Sequence, residues 1–168
     1  MTDTQSQEQH EQQMKIDIDQ ILKEKAGKKA KFIPFFIKRW LKKTIHQDEV
    51  NRFLLGRAAG KYGVDFLDEC VDYLEMDLQV EGLDELPSNE GGRYFTIVSN
   101  HPLGGEDGVA LGKLICHKYD SKMVYLVNDL LMNLKGLAPL CVPINKTGSQ
   151  ARDFPRMVQE LCQAAQWG

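Results

Sequence analysis

From residue 94 onward, apolar runs of strand length alternate with segments of helical period, and that rhythm confines the chain to one broad architecture. Tyr94-Phe95-Thr96-Ile97-Val98 reads as a buried strand, 108–118 as a helix through Val109, Leu111, Leu114 and Ile115, and 123–127 as a second strand. Residues 130–134 form a short helical pattern. Leu140-Cys141-Val142-Pro143-Ile144 reads as a third strand, placed at a sheet edge because Pro143 cannot donate to a ladder. Phe154, Met157, Val158 and Leu161 mark a last helix over 154–165. Strands alternating with helices predict an α/β fold: a mainly parallel sheet flanked by helices.

The first half lacks this rhythm and reads as a helical region. Met14, Ile18, Ile21 and Leu22 give a short amphipathic helix, and Val50, Phe53, Leu54 and Ala58 another over 48–60. Gly60 and Gly63 mark a break, after which Phe66, Leu67, Cys70, Val71 and Leu74 line one face of a helix over 65–77. Residues 78–83 alternate as a strand does, and 87–92 form a turn. The expected organisation is a polar, disordered tail over 1–13, a helical region over 14–77 and an α/β region over 78–168. The alternating pattern is still running at Gln166-Trp167-Gly168, which predicts that the α/β domain is present only as its N-terminal part, its C-terminal part missing.

Composition narrows the function classes. The net charge of −3 gives no reason to expect a nucleic-acid partner, and the distribution of charge says more than the sum. Residues 23–43 hold nine Lys or Arg and a single acid, Glu24, interleaved with Phe32-Ile33-Pro34-Phe35-Phe36-Ile37 and Trp40-Leu41. Pro34 suits the first turn of a helix. The helix that follows carries Phe35, Phe36, Lys38, Arg39, Trp40, Lys42 and Lys43, a mixture that suits the headgroup boundary of an anionic membrane. The same residues also fit an ordinary surface helix whose apolar stripe packs on its own domain. No run of about 18 apolar residues occurs, so the expected attachment is peripheral. The first thirty residues contain no apolar signal-peptide core. The four cysteines, Cys70, Cys116, Cys141 and Cys162, form neither a CxxC pair nor a zinc-binding spacing, and read as reduced core residues of a cytosolic compartment.

One segment carries chemistry. His101 directly follows the predicted strand 94–98 and its two-residue tail Ser99-Asn100, and precedes Pro102-Leu103-Gly104-Gly105-Glu106-Asp107-Gly108. Ligands of α/β sheets gather at the carboxyl ends of strands, so the imidazole stands where a reaction centre is expected. Gly104 and Gly105 let the backbone approach a ligand and aim N–H groups at an anion. Asp107 falls at a helix start, where a carboxylate is favoured and from which it can fold back to orient an imidazole acting as base. The bland alternative is a solvated histidine beside a helix cap.

Asn-His-Pro-Leu-Gly-Gly-x-Asp-Gly resembles the first block of the phospholipid/glycerol acyltransferase family, in the hemolysin-like branch that makes amino-acid lipids. The likeness extends from about residue 30 to the end and includes Ile45-His46-Gln47-Asp48-Glu49-Val50-Asn51. It implies His101 as general base with Asp107 as its acid partner. Glu106, which the commoner spacing of four residues selects, is the alternative acid. Gly136-Leu137-Ala138-Pro139-Leu140-Cys141-Val142-Pro143-Ile144-Asn145-Lys146 is similar to the family's second block, which implies that Asn145 and Lys146, with Asn100, Gly104 and Gly105, meet the substrates. A third block, Phe-Pro-x-Gly, is not found within the sequence. The activity implied is transfer of a fatty acyl group from acyl carrier protein or coenzyme A to a lysolipid hydroxyl, with a lyso-amino-acid lipid such as lyso-glycine or lyso-ornithine lipid favoured. The implied reaction uses no metal and no cofactor beyond the thioester co-substrate, at the cytoplasmic face of the inner membrane. Acylation of 1-acylglycerol-3-phosphate is the alternative acceptor chemistry, and an inactive membrane-binding fragment the alternative of another class. No GxSxG elbow supports a hydrolase.

Overall fold

The computed structural model describes residues 14–88, 95–100 and 102–144. The chain divides into two compact units, Met1–Gly60 and Lys61–Gly168.

In the first unit, Asp17 caps helix α1 (Ile18–Ala26) by accepting the Asp19 N–H at 2.8 Å, and Gly27, at φ 53°, turns the chain out of it. A 3₁₀ turn over Gly27–Phe32 leads to Pro34. The Pro34 carbonyl accepts the Ile37 and Lys38 N–H groups at 3.1 and 3.2 Å and opens α2 (Phe35–Thr44). His46 takes a left-handed conformation between α2 and α3 (Gln47–Leu55). Two buried side chains one helical turn apart on α3 then bind the main chain where it enters α1. Asn51 accepts the Ile16 N–H at 2.8 Å and donates to the Ile16 carbonyl at 2.9 Å, while Gln47 accepts the Ile18 N–H at 3.1 Å.

In the second unit, Gly63, at φ 60°, opens α4 (Val64–Tyr73), which packs on α5 (Gly105–Lys118). Leu67 of α4, Cys116 of α5 and Leu140 form the core, with Val64, Val109, Met123, Tyr125 and Leu137 packed around them. A polar edge runs beside it: Asp68 meets His117 at 2.9 Å and Lys113 at 3.3 Å. Phe66 is fully buried, and the backbone at Gly136 lies so close to its ring that a methyl group there would overlap it. The Gly136 carbonyl accepts the Gly63 N–H at 2.8 Å, tying this segment to the start of α4. Strands β1 (Tyr125–Asn128) and β2 (Cys141–Ile144) pair in parallel, Tyr125 opposite Cys141 and Asn128 opposite Ile144. Two 3₁₀ turns, Asp129–Asn133 and Lys135–Leu140, make the crossover.

The α/β architecture expected from the sequence is therefore present: helices with a small parallel sheet. Two strand assignments differ. Residues 78–83 form no strand, because Gly82, at φ 74°, bends the chain into a 3₁₀ turn at Leu83–Glu85. Residues 95–98 belong to no strand either. Their side chains are exposed, Val98 at 88%, and the two-stranded sheet described here gives them no ladder partner. Tyr94 and the helix expected over 154–165 lie outside the described residues. Elsewhere the boundaries move by a few residues: α5 begins at Gly105 rather than 108, which brings Asp107 into its first turn.

Burial pushes the Cys70 thiol up to about 12, with Glu69 adding to it, and the Cys116 and Cys141 thiols up to about 11, from an ordinary value of 9.0. Below pH 9 both folded and unfolded chains keep these protons; as pH rises toward 11–12 only the folded chain does, so the stability from burying neutral thiols is lost across that window. Brief iodoacetamide treatment at about pH 8 should leave Cys70 and Cys116 unmodified in peptide mass maps, and labelling at the rate of a free thiol would contradict their burial. Gly136→Ala should destabilise the second unit by about 1–3 kcal/mol in urea titrations, because the Phe66 ring has nowhere to move.

Candidate functional site

The head of α5 is built by three devices. Gly104, at φ 75°, turns the chain into the helix, a conformation that disfavours any residue with a side chain. Asp107, in the first helical turn, reaches back: its Oδ2 accepts the Leu103 N–H at 2.8 Å. A side chain of the first helical turn thus satisfies the N–H of the residue preceding the cap position, Gly104. The third device comes from β1. Tyr125 is half-buried beneath α5, and its hydroxyl donates to the Gly108 carbonyl at 2.6 Å. The ring fits because residue 112 is glycine; a Cβ there would fall on the Tyr125 hydroxyl and close to Leu67. Burial, with Cys116 and Cys141 nearby, pushes the Tyr125 phenol above its ordinary range, which keeps it a donor at any physiological pH.

This frame distinguishes the two acids at positions 106 and 107. Glu106 is exposed to solvent on the first turn, whereas Asp107 is partly covered and engaged with Leu103. Gly104 and Gly105 have open space beside them: a Cβ built on either meets nothing within 4 Å. Asn100 is exposed, and its carbonyl accepts the Ser99 hydroxyl at 2.8 Å. His101, Asn145 and Lys146 lie outside the described residues. In the sequence His101 stands two positions before the clamped Leu103, and Asn145 and Lys146 directly follow the last residue of β2. A cleft lined by Asp84, Leu86, Ser88, Lys118 and Tyr119 shares no residue with this segment.

Tyr125 is the residue that sequence reasoning missed, since it reads as one more apolar position of a strand. The available signal was Gly112. An isolated glycine inside a helix costs about 1 kcal/mol relative to alanine, so its presence points to something packed against it.

The residues expected at a membrane lie on α2. Phe35, Phe36 and Trp40 are exposed, as are Arg39 and Lys43. Lys38 and Lys42 turn toward α1, where Asp19 meets them at 3.6 and 2.5 Å. The Lys42 ammonium holds the Asp19 carboxyl below the usual carboxylate range, and Asp19 raises Lys42 in return. Among the described residues no helix is long and apolar enough to cross a membrane, and no three His, Cys, Asp or Glu side chains converge to hold a metal ion.

Comparison with known proteins places this arrangement. The family model described as acyltransferase matches residues 20–165. A lyso-glycine lipid O-acyltransferase of Bacteroides thetaiotaomicron is 58% identical over 144 residues, 86% of this chain and 52% of that protein. A protein of the same name from Phocaeicola vulgatus is 58% identical over 144 residues, 86% of this chain and 50% of its own length. The chain thus spans about half the length of these curated relatives. No solved structure matches it. With the family model covering most of the sequence and the glycine-framed head of α5 at its centre, the chain belongs to the acyltransferase family.

Proposed function

We propose that the protein is a lysolipid O-acyltransferase that moves a fatty acyl group from the thioester of acyl carrier protein or coenzyme A to the hydroxyl of a lyso-glycine lipid. The acceptor follows from the name shared by the two relatives. The observation that carries the assignment of residues is the clamp at the head of α5. Asp107 holds the Leu103 N–H with Oδ2 at 2.8 Å, which leaves Oδ1 for the imidazole of His101, two positions before Leu103 in the sequence. One carboxylate then fixes both the turn after His101 and the ring's tautomer.

His101, as base, takes the proton of the acceptor hydroxyl. The freed oxygen attacks the thioester carbonyl, and the tetrahedral oxyanion collapses by expelling the thiolate. That sulfur takes the proton back from the imidazolium, so the products are an ester and a thiol. The Asp107 carboxylate offsets the positive charge that develops on the ring. The open space at Gly104 and Gly105 admits the reacting carbonyl close to the backbone. We assign substrate contact to Asn100, Asn145 and Lys146: in the sequence the last two directly follow β2, and α/β folds hold ligands at the carboxyl ends of strands, where a lysine suits an acceptor's anionic head. The solvent-exposed Glu106 takes no part in orienting the ring. The reaction takes place at the cytoplasmic face of the inner membrane, where the protein binds peripherally and the lysolipid presents its hydroxyl.

Offered lyso-glycine lipid and lysophosphatidate in parallel with a labelled acyl thioester, the protein should acylate the first; label appearing only in phosphatidate overturns the acceptor assignment. His101→Ala should abolish transfer. Asp107→Asn keeps an oxygen for Leu103 but loses the negative charge, and should reduce kcat at least about 100-fold with little change in melting temperature. Near-normal kcat in that variant would reduce Asp107 to a helix clamp. Tyr125→Phe keeps the packing at Gly112 and removes the bond to Gly108. It should lower kcat about tenfold with KM unchanged, as displacement of a positioned acid does.

A further inference from the structure

The cationic stretch of the first unit is not one uniform surface. At about 100° per residue, Phe35, Arg39, Lys43, Phe36 and Trp40 follow one another across about 140° of the circumference of α2. All five are exposed, with Phe35 at 76%, Phe36 at 70% and Trp40 at 62%. The neighbouring arc holds Lys38 and Lys42, both drawn onto Asp19 of α1. Leu41, half-buried, belongs to the remaining arc. A pattern that reads in sequence as aromatics with lysines scattered among them is therefore sorted by the fold. One arc mixes three bare aromatic rings with two cations that have no carboxylate partner among the described residues. The next arc has its two ammonium groups engaged by one carboxylate, which offsets half of its charge within the protein.

We propose that this arc, Phe35, Phe36, Arg39, Trp40 and Lys43, is the surface that docks on an anionic lipid bilayer, and that Asp19 withholds Lys38 and Lys42 from it. The proposal rests on the peripheral attachment argued above and specifies which side of α2 makes it. Isolated exposed apolar residues are ordinary, but three large rings on one arc of a ten-residue helix make a patch that water solvates poorly. Aromatic rings among guanidinium and ammonium groups match the boundary between acyl chains and phosphate headgroups. Charge complementarity selects an anionic partner, since no acid lies between Glu24 and Asp48. The exposed Lys28, Lys29, Lys31 and Phe32 just ahead of α2 have the same chemistry. The Asp19 bridges also set the orientation. With Lys38 and Lys42 drawn to α1, the helix presents its aromatic arc to the bilayer and lies along the surface.

Two charge-matched double variants separate this from attraction of the whole basic stretch. R39Q/K43Q should weaken binding to vesicles containing phosphatidylglycerol about fivefold per cation lost, whereas K38Q/K42Q, which removes the same number of cations, should weaken it much less. Equal weakening by both would overturn the division of the helix. Depth is read from Trp40 itself. In a W167F background, vesicles with brominated acyl chains should quench and blue-shift its emission, and a spectrum unchanged by vesicles would overturn docking through this arc. Circular dichroism on each variant confirms that the helices persist. F36S/W40S, which leaves every charge in place, should also release the protein from vesicles; retention would overturn the aromatic part. Retention by RNA instead of vesicles, or self-association abolished by F36S/W40S, would assign the arc to another partner and overturn the proposal. Acyl transfer measured on lysolipid in detergent is independent of docking, so failure there would count against the catalytic reading alone.

Discussion

Tyr125 occupies the place a side chain on residue 112 would fill, and its hydroxyl reaches the Gly108 carbonyl 2.6 Å away. That contact joins the only strand pair among the described residues to the first turns of α5. β1 is fixed by its register with β2, and α5 is fixed on α4 through Leu67 and Cys116. The phenol makes these two placements one, because any sliding of the helix along the sheet would break the bond and drive helix backbone into the ring. The clamp from Asp107 to Leu103 then carries the fixed position one step further, from the helix into the turn that follows His101. Each link depends on the absence of a side chain: at Gly112 for the ring, and at Gly104 for the turn. The turn at the head of α5 is largely exposed, yet its geometry is set by buried contacts beneath it.

How much of this was legible in the sequence depended on whether the determinant was local. Helices α2, α4 and α5 were readable because their apolar spacing, capping residues and flanking glycines lie within one stretch of chain. The motif from Asn100 to Gly108 was legible for the same reason, as was the choice between two adjacent acids as a question. Their different surroundings were not, since they follow from where the helix begins. The strands were harder. A run such as Phe95-Thr96-Ile97-Val98 has strand propensity, but a strand exists only when another strand satisfies its backbone groups, and nothing in the run itself names that partner. Residues 78–83 alternate well enough, yet a single left-handed glycine at position 82 outweighs the alternation. The partner of Asp19 was equally hidden. No rule of spacing connects it to Lys38 and Lys42, which become neighbours only when α1 folds against α2.

The two units manage charge in different ways. In the second, opposite charges stay near one another along the α4–α5 edge, where Asp68 meets both Lys113 and His117, and Lys61 pairs with Glu69. The more exposed of these pairs contribute little individually, while the Lys61 pairing provides a counter-charge for the buried Glu69 carboxylate. In the first unit the basic residues outnumber the nearby acids, and the fold spends its one well-placed acid, Asp19, on two of them. The charge that remains is confined to a direction. A protein with a net charge of −3 thereby keeps a strongly positive sector.

The grip of α3 on the chain where it enters α1 has its own consequence. Gln47 and Asn51 hold main-chain atoms of Ile16 and Ile18, not their side chains. Such a grip recognises main-chain groups and is indifferent to which side chains they carry. Substitutions at positions 16 and 18 can drift with little effect on this attachment. At positions 47 and 51, though, even a small change of length or hydrogen-bonding pattern strands buried polar groups and unfastens α1. Tolerance to substitution in this region is therefore asymmetric: this attachment constrains the two amides that hold and not the side chains at the positions that are held.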